Sequence, residues 1–366
     1  MLSNLLQPKT VRMPELSDGY WFNSPAPLTK MHLRGSVVLI DFWDFTCVNC
    51  IRTLPYLVAW YARYQHLGLK IIGIHTPEFK FSQTKMHVEQ AIDQFGLHYP
   101  VLLDNQYENW TQFAVKAWPT KLLIDPDGYI RYQAQGEGRY QQTERAIQQL
   151  LRLGNPNADF PQLLPPMREE DEVGAVCYRP TPELYAGYQG GGLFGGGLGN
   201  SSGYMPDQTV FYKVPPEDEQ MMGHFYVDGA WKAGPESMSY SGKVGGRIQL
   251  VYEAAKINAV IGPTADQVGL ALGLRPTDAP PLVWVRQNGR WLDEINAGED
   301  VLFDENGRSY LNITQPRMYQ IAKNHTFTTN RLELTFQAMG LALFSFSFSS
   351  CVAGAGDGGK ETFVTK

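Results

Sequence analysis

Two thiols separated by two residues, Cys47-Val48-Asn49-Cys50, carry the most distinctive chemistry in this sequence. That spacing serves either a dithiol that cycles to a disulfide or one half of a zinc site. A zinc site needs two further Cys or His at compact spacing. Cys177 and Cys351 lie in a distant region, and His32, His66, His87, His98, His224 and His325 show no metal spacing. The redox reading leads, so no metal is expected and no cofactor beyond a redox-active disulfide between Cys47 and Cys50. The pair follows the apolar run Val37–Trp43 and opens a stretch with apolar residues at helical intervals. A thiolate there faces the positive end of the helix dipole and unpaired N–H groups, which lowers its pKa. His75 and Glu78 follow a second apolar run, where loops of α/β sheets crowd their active sites. Either could tune the thiols or contact substrate; a solvated turn started by Thr76-Pro77 is the other reading.

These residues must be held by elements that the pattern also predicts. Val37–Trp43 and Lys70–Ile74 read as buried strands, and Ile51–His66 between them has Leu54, Leu57, Val58 and Tyr61 at helical spacing. Strand, helix and strand make a parallel βαβ crossover. A helix over Lys85–Phe95 follows, then a hairpin whose strands Lys121–Asp125 and Tyr129–Tyr132 flank Pro126-Asp127-Gly128, then a helix over Thr143–Leu153. An α/β domain is therefore expected over residues 1–154, with its core at about 20–154. Residues 155–177 are Pro-rich and include the acidic run Glu169–Glu172, which predicts an extended, solvated linker. Gly187–Gly203 predicts a mobile loop. Short β-rich runs between turn signals fill 178–352: Thr209–Val214, Arg247–Glu253, Asn258–Ile261, Pro281–Arg286, Ser309–Ile313, Met318–Ala322, Leu332–Phe336 and Leu343–Ser349. They predict an all-β sandwich of jelly-roll type. Phe344, Phe346 and Phe348 alternate with Ser345, Ser347 and Ser349, predicting one buried and one wet face. Residues 353–366 are expected to be a flexible tail.

Composition narrows the function. With 43% hydrophobic and 19% charged residues the chain has ample core, which excludes global disorder. A net charge of −6 without a basic run argues against nucleic-acid binding. No apolar stretch reaches the ~18 residues of a membrane span. The first residues show neither a basic n-region nor an h-region, so the chain as written is expected to stay in the compartment where it is made, a cytosol by default.

Asp41-Phe42-Trp43, Cys47-x-x-Cys50 and Pro55 resemble the active-site segment of thioredoxins, and Ala117-Trp118-Pro119-Thr120 resembles their cis-proline segment. Phe42-Trp43-x-x-Thr46-Cys47-Val48-Asn49-Cys50, Gly73–Phe79 and Leu103-Asp104-Asn105 are similar to the TlpA-like branch, and within it to the C-terminal soluble portion of DipZ-type proteins. Thr181–Tyr188 and Pro316–Gln320 extend the resemblance into the second half, where those proteins carry a carbohydrate-binding-module-like domain. DipZ-type proteins, named in connection with cytochrome c biogenesis, also have an N-terminal membrane domain with no counterpart here.

The resemblance implies a thiol–disulfide oxidoreductase with a thioredoxin-like fold. Cys47 would be the exposed nucleophile, Cys50 the resolving thiol and Asp41 the buried carboxylate that takes the Cys50 proton. Trp118, a cis Pro119 and Thr120 would line the substrate edge, with Thr46, His75 and Glu78 near the thiols. Implied partners are proteins with disulfides or dithiols, plus an electron donor that the sequence does not name. The implied location is periplasmic or otherwise extracytoplasmic, against the cytosolic default. The competing function is a binding protein whose β-sandwich recognises carbohydrate or a protein partner, the cysteines being auxiliary; Trp231, Trp284 and Trp291 could stack on sugars, or fill the sandwich core. A peroxidase is disfavoured, because Asp44 and Ile40 stand where peroxiredoxins place Thr or Ser and Pro. Cys177 and Cys351 bracket the β-domain; a structural disulfide is one option, and two buried thiols are favoured for a cytosolic protein.

Overall fold

The computed structural model describes residues 5–172, 174–193, 196–243, 245–264 and 280–352, so the tail expected at 353–366 lies outside the described residues. The chain forms two compact units, residues 1–167 and 168–366.

The strands of the first unit are β1 (Tyr20–Phe22), β2 (Val37–Trp43), β3 (Leu69–His75), β4 (Val101–Leu103), β5 (Thr120–Ile124) and β6 (Ile130–Gln135). Its helices are α1 (Lys30–Leu33), α2 (Val48–Tyr64), α3 (Lys85–Gln94), α4 (Glu108–Gln112) and α5 (Tyr140–Gly154). The sheet runs β1-β4-β3-β2-β5-β6; β2, β3 and β4 are parallel, and β1, β5 and β6 run antiparallel to their neighbours. All of β2 is buried, because both faces of a central strand are covered. On one face Leu39 and Trp43 cluster with Leu54, Leu57 and Trp60 of α2 and Ile147 and Leu150 of α5. On the other, Val38, Ile40 and Phe42 cluster with Ile72, Ile74 and Leu122. Alternation along β2 therefore places Asp41 on the α2 side.

Helix α2 begins at Val48, earlier than the apolar spacing predicts, because Cys47 caps it: its sulfur accepts the Cys50 N–H. Cys50, Leu54, Leu57, Trp60 and Tyr64 then recur at helical intervals on the buried side. A 3-10 turn, Gln65–Leu67, ends it at Gly68, whose φ of 100° is open to glycine at no steric cost.

Residues 155–167 depart from the expected solvated linker. Phe160 and Leu164 pack against the core of the first unit. The buried Glu144 carboxylate accepts the Leu164 N–H at 2.7 Å and the Tyr64 hydroxyl at 2.6 Å, while the Met167 N–H donates to Tyr56 Oη at 2.7 Å. Prolines keep the segment extended, but its apolar residues have a groove to fill and its N–H groups have buried acceptors to serve. A fragment ending at Gly154 should consequently unfold at lower denaturant than one ending at Met167. The expected deficit is about 2–4 kcal/mol, from two half-buried side chains and one stranded carboxylate acceptor. Urea titration of the two fragments checks this; equal midpoints would return the segment to a passive linker.

The second unit is strand-rich, consistent with the expected β-sandwich. Its main sheet orders the strands Thr209–Tyr212, His224–Ala233, Met238–Tyr240, Leu341–Ser349, Gly246–Pro263, Arg317–Phe336, Leu282–Gln287, Ser309–Asn312 and Leu302–Phe303. Two pairs of expected strands fuse. Gly246–Pro263 spans both Arg247–Glu253 and Asn258–Ile261, and Arg317–Phe336 spans both Met318–Ala322 and Leu332–Phe336. Irregularities in pairing near Ala254–Asn258 switch the core-facing phase from Ile248, Leu250 and Tyr252 to Ile257, Ala259 and Ile261. A change of phase reads as a strand break in sequence and is a bulge in the structure.

Three expectations fail in this unit. Ser345, Ser347 and Ser349 are buried, so that strand has no wet face; their neighbours Asn258 and Val260 on the paired strand are buried with them. The glycine stretch is packed over its described residues: a Cβ on Gly187 would lie 2.3 Å from Glu236 backbone and one on Gly196 would lie 2.0 Å from Gly223 O. Glycine lets backbone meet backbone there. Cys177 and Cys351 are also bonded to each other, because they stand directly opposite in the antiparallel pair formed by Val176–Cys177 and Cys351–Val352.

Candidate active site

Cys47 is partly exposed at the start of α2, and Cys50 is fully buried one turn on. The Cys50 N–H points at Cys47 Sγ from 3.2 Å, as an unpaired donor in the first turn of a helix should. Burial pushes the Cys50 thiol well above its ordinary range; the neighbouring Cys47 adds to this, and an Asp44 backbone hydrogen bond works against it. One thiol is thus accessible, and the other needs a base.

A carboxyl group lies beneath them. Asp41 is 1% exposed and neither of its oxygens has a hydrogen-bond partner. Burial lifts its pKa to about 7, opposed by the charge of Lys121. Asp41 and Lys121 face one another across β2 and β5. Lys121 is itself buried, donates to Gly136 O at 3.1 Å, and is lowered by burial against the pull of Asp41 and Cys50. The other neighbour of Asp41 is Gly73 on β3. A Cβ at Gly73 would lie 3.0 Å from Trp43 Nε1, so a side chain there would have to push the buried Trp43 by a few tenths of an ångström.

Trp118–Pro119 is a cis peptide. Thr120 is buried with its hydroxyl on Ala117 O at 2.7 Å, and Trp118 Nε1 donates to Thr76 O at 3.1 Å. The cis-proline loop is thereby tied to the loop after β3. In that loop His75 is buried and stacks on Phe45. Burial lowers its pKa against the attraction of Asp44, so its imidazole is neutral at pH 7. Thr46, His75 and Glu78 all converge on Asp44. Asp44 accepts the Thr46 N–H at 2.6 Å, the Thr46 hydroxyl and the Glu78 N–H at 3.0 Å, and lies 3.5 Å from His75 Nε2.

Two residues of this site escape a reading by sequence alone. Lys121 looks like the polar start of an apolar strand; only the lysine inside the otherwise apolar Leu122-Leu123-Ile124 context hints at a buried cation. Asp44 looks like a loop carboxylate. At the rim, Arg52 bridges Asn49 Oδ1 at 3.1 Å and Glu137 at 3.4 Å, which anchors the spacer between the cysteines.

Known proteins place the chain. Residues 23–133 match the AhpC/TSA family, and residues 181–349 match the family described as the thioredoxin-like C-terminal domain. The protein DipZ of Mycobacterium bovis is 34% identical over 246 residues, which is 67% of this chain and 34% of DipZ. The chain is thus similar to thioredoxin-like proteins in both halves. The chain spans about a third of the length of DipZ. The thiol-disulfide oxidoreductase ResA of Bacillus anthracis is 30% identical over 118 residues, covering 32% of this chain and 65% of ResA. A thiol-disulfide isomerase from Corynebacterium glutamicum aligns with 38% of this chain and 96% of its own at 23% identity, TM-score 0.35.

In the second unit, Trp231 is fully buried in the hydrophobic core, which removes it as a sugar platform. Trp284 and Trp291 are half-buried 5.8 Å apart, each with a guanidinium over its ring, Arg308 and Arg286 respectively. No helix among the described residues is long and apolar enough to cross a membrane.

Proposed function

We propose that this protein is a thiol–disulfide oxidoreductase acting on protein disulfides. The observation that carries the reading is the division of labour between the thiols: Cys47 partly exposed at a helix cap, Cys50 buried one turn inside and backed by a carboxyl of pKa about 7. The Cys47 thiolate attacks one sulfur of a substrate disulfide, and the other sulfur leaves as a thiolate that takes a proton from solvent. Cys50 then gives its proton to the Asp41 carboxylate, and its sulfur attacks Cys47 Sγ. The second substrate sulfur departs, leaving a Cys47–Cys50 disulfide and a reduced substrate. A dithiol donor returns the pair to the reduced state, and the same steps in reverse oxidise a substrate. The Trp118–Pro119 loop would present backbone to an extended substrate segment.

The Cys177–Cys351 disulfide supports an oxidising, extracytoplasmic location, since such bonds are rare in a reducing cytosol. Insulin reduction with dithiothreitol as donor tests the activity. Wild-type protein accelerates it, and Cys47→Ser abolishes the acceleration; a Cys47→Ser variant that retained it would overturn the assignment.

A further inference from the structure

We propose that Asp44 is a positioning residue for the thiol chemistry, holding Thr46 and Glu78 as one unit beside the nucleophile. The inference rests on the assignment of Cys47 as that nucleophile. Its basis is a single buried side chain that serves two loops at once. Asp44 is fully buried, and each of its oxygens has a different task. Oδ1 accepts both the backbone N–H and the hydroxyl of Thr46, the residue before Cys47. Oδ2 accepts the backbone N–H of Glu78, from the loop after β3. Its own carbonyl accepts the Cys47 N–H at 3.3 Å, so the same residue caps the turn that presents the thiol.

The side chains complete the link. Thr46 Oγ1 also lies 3.3 Å from Glu78 Oε2. A hydroxyl carries one proton and here has two carboxyl groups within reach; Asp44 holds the shorter contact. Glu78 is therefore anchored through Asp44 at its backbone, and its carboxyl sits beside the Thr46 oxygen whose proton Asp44 takes. Groups that face this cluster are His75, neutral and 3.5 Å from Oδ2; Asp104, which accepts the Thr76 hydroxyl at 3.2 Å; and the two thiols. Glu78 itself is partly exposed and lies against the residue adjoining Cys47. Asp44 thereby fixes the loop that carries the Glu78 charge relative to the thiol.

The test is a double-mutant cycle read by the pH dependence of Cys47 alkylation with iodoacetamide in the full chain, which needs no substrate. In the wild type, Glu78→Gln removes a nearby negative charge and lowers the midpoint pH by about half a unit, a roughly threefold rate change at fixed pH. In the Asp44→Asn background, Glu78→Gln shifts the midpoint by less than about a third of that. Thr46→Val, which takes one donor away from Asp44, also reduces the Glu78 effect, whereas Thr46→Ser, which keeps the hydroxyl, preserves it. An equal Glu78→Gln shift in all backgrounds, or none in the wild type, overturns the proposal. If Asp44→Asn fails to fold, the Thr46→Val and Thr46→Ser pair decides the question by the same readout. A wild-type protein that alkylates with a defined midpoint yet does not reduce insulin would refute the oxidoreductase reading and leave this cycle to stand or fall by itself.

Discussion

A Cys50→Ser variant should attack disulfides and then stop. Cys47 keeps its helix cap and its exposure in that variant, so the first displacement needs nothing that has been removed. The second displacement needs a sulfur nucleophile one turn inside the helix, and a buried serine hydroxyl cannot replace it at neutral pH. Turnover of insulin should fall about a thousandfold or more, as it does when one member of a concerted catalytic set is deleted. A covalent adduct on Cys47 should accumulate, stable on a non-reducing gel and released by dithiothreitol. Mass spectrometry of the adduct identifies the attacked sulfur. Turnover near the wild-type rate, or an adduct on any other cysteine, would show that Cys50 is not the resolving thiol.

The second large effect is expected at Asp41. The Cys50 thiol is held well above its ordinary range by burial, so its proton must go to a nearby base. Asp41 has a raised pKa of about 7, which leaves it ionised above that pH and protonated below it. Release of the mixed disulfide should therefore slow as pH falls through about 7. Asp41→Asn should slow release by about a hundredfold at pH 8, the low end of what a general base contributes, and should flatten the pH profile. Lys121 gives the sign of a companion change. Its charge opposes the rise in the Asp41 pKa, so Lys121→Met should carry that pKa higher and move the release profile to higher pH. Rapid-quench measurement of adduct decay from pH 6 to 9 follows both. A profile unchanged in Asp41→Asn would reduce the carboxylate to a structural role, and an unshifted profile in Lys121→Met would remove the cross-strand coupling.

What a reader of the sequence can obtain depends on distance along the chain. The placement of Cys47 and Cys50 at a strand-to-helix junction was legible, because a helix cap and an apolar stripe are set by residues within a turn or two of one another. The strands β2 and β3, the hairpin at Gly128 and the strand-rich second unit were legible for the same reason. Very short elements such as β1 and β4, three residues each, leave too little periodicity to be seen. Tertiary structure decided the rest. Lys121 meets Asp41 only through the register of β2 against β5, and a one-residue slip would turn it to the opposite face. Asp44 becomes a clamp only because the loop after β3 returns to it from more than thirty residues away. Residues 155–167 are polar and Pro-rich enough to read as solvated, yet the groove they fill is made by side chains of α2 and α5. The Cys177–Cys351 bond likewise needs two strands 174 residues apart to lie side by side. Local preference is written residue by residue and can be read that way, whereas a buried charge or a distant pair acquires its meaning from whatever the fold sets beside it.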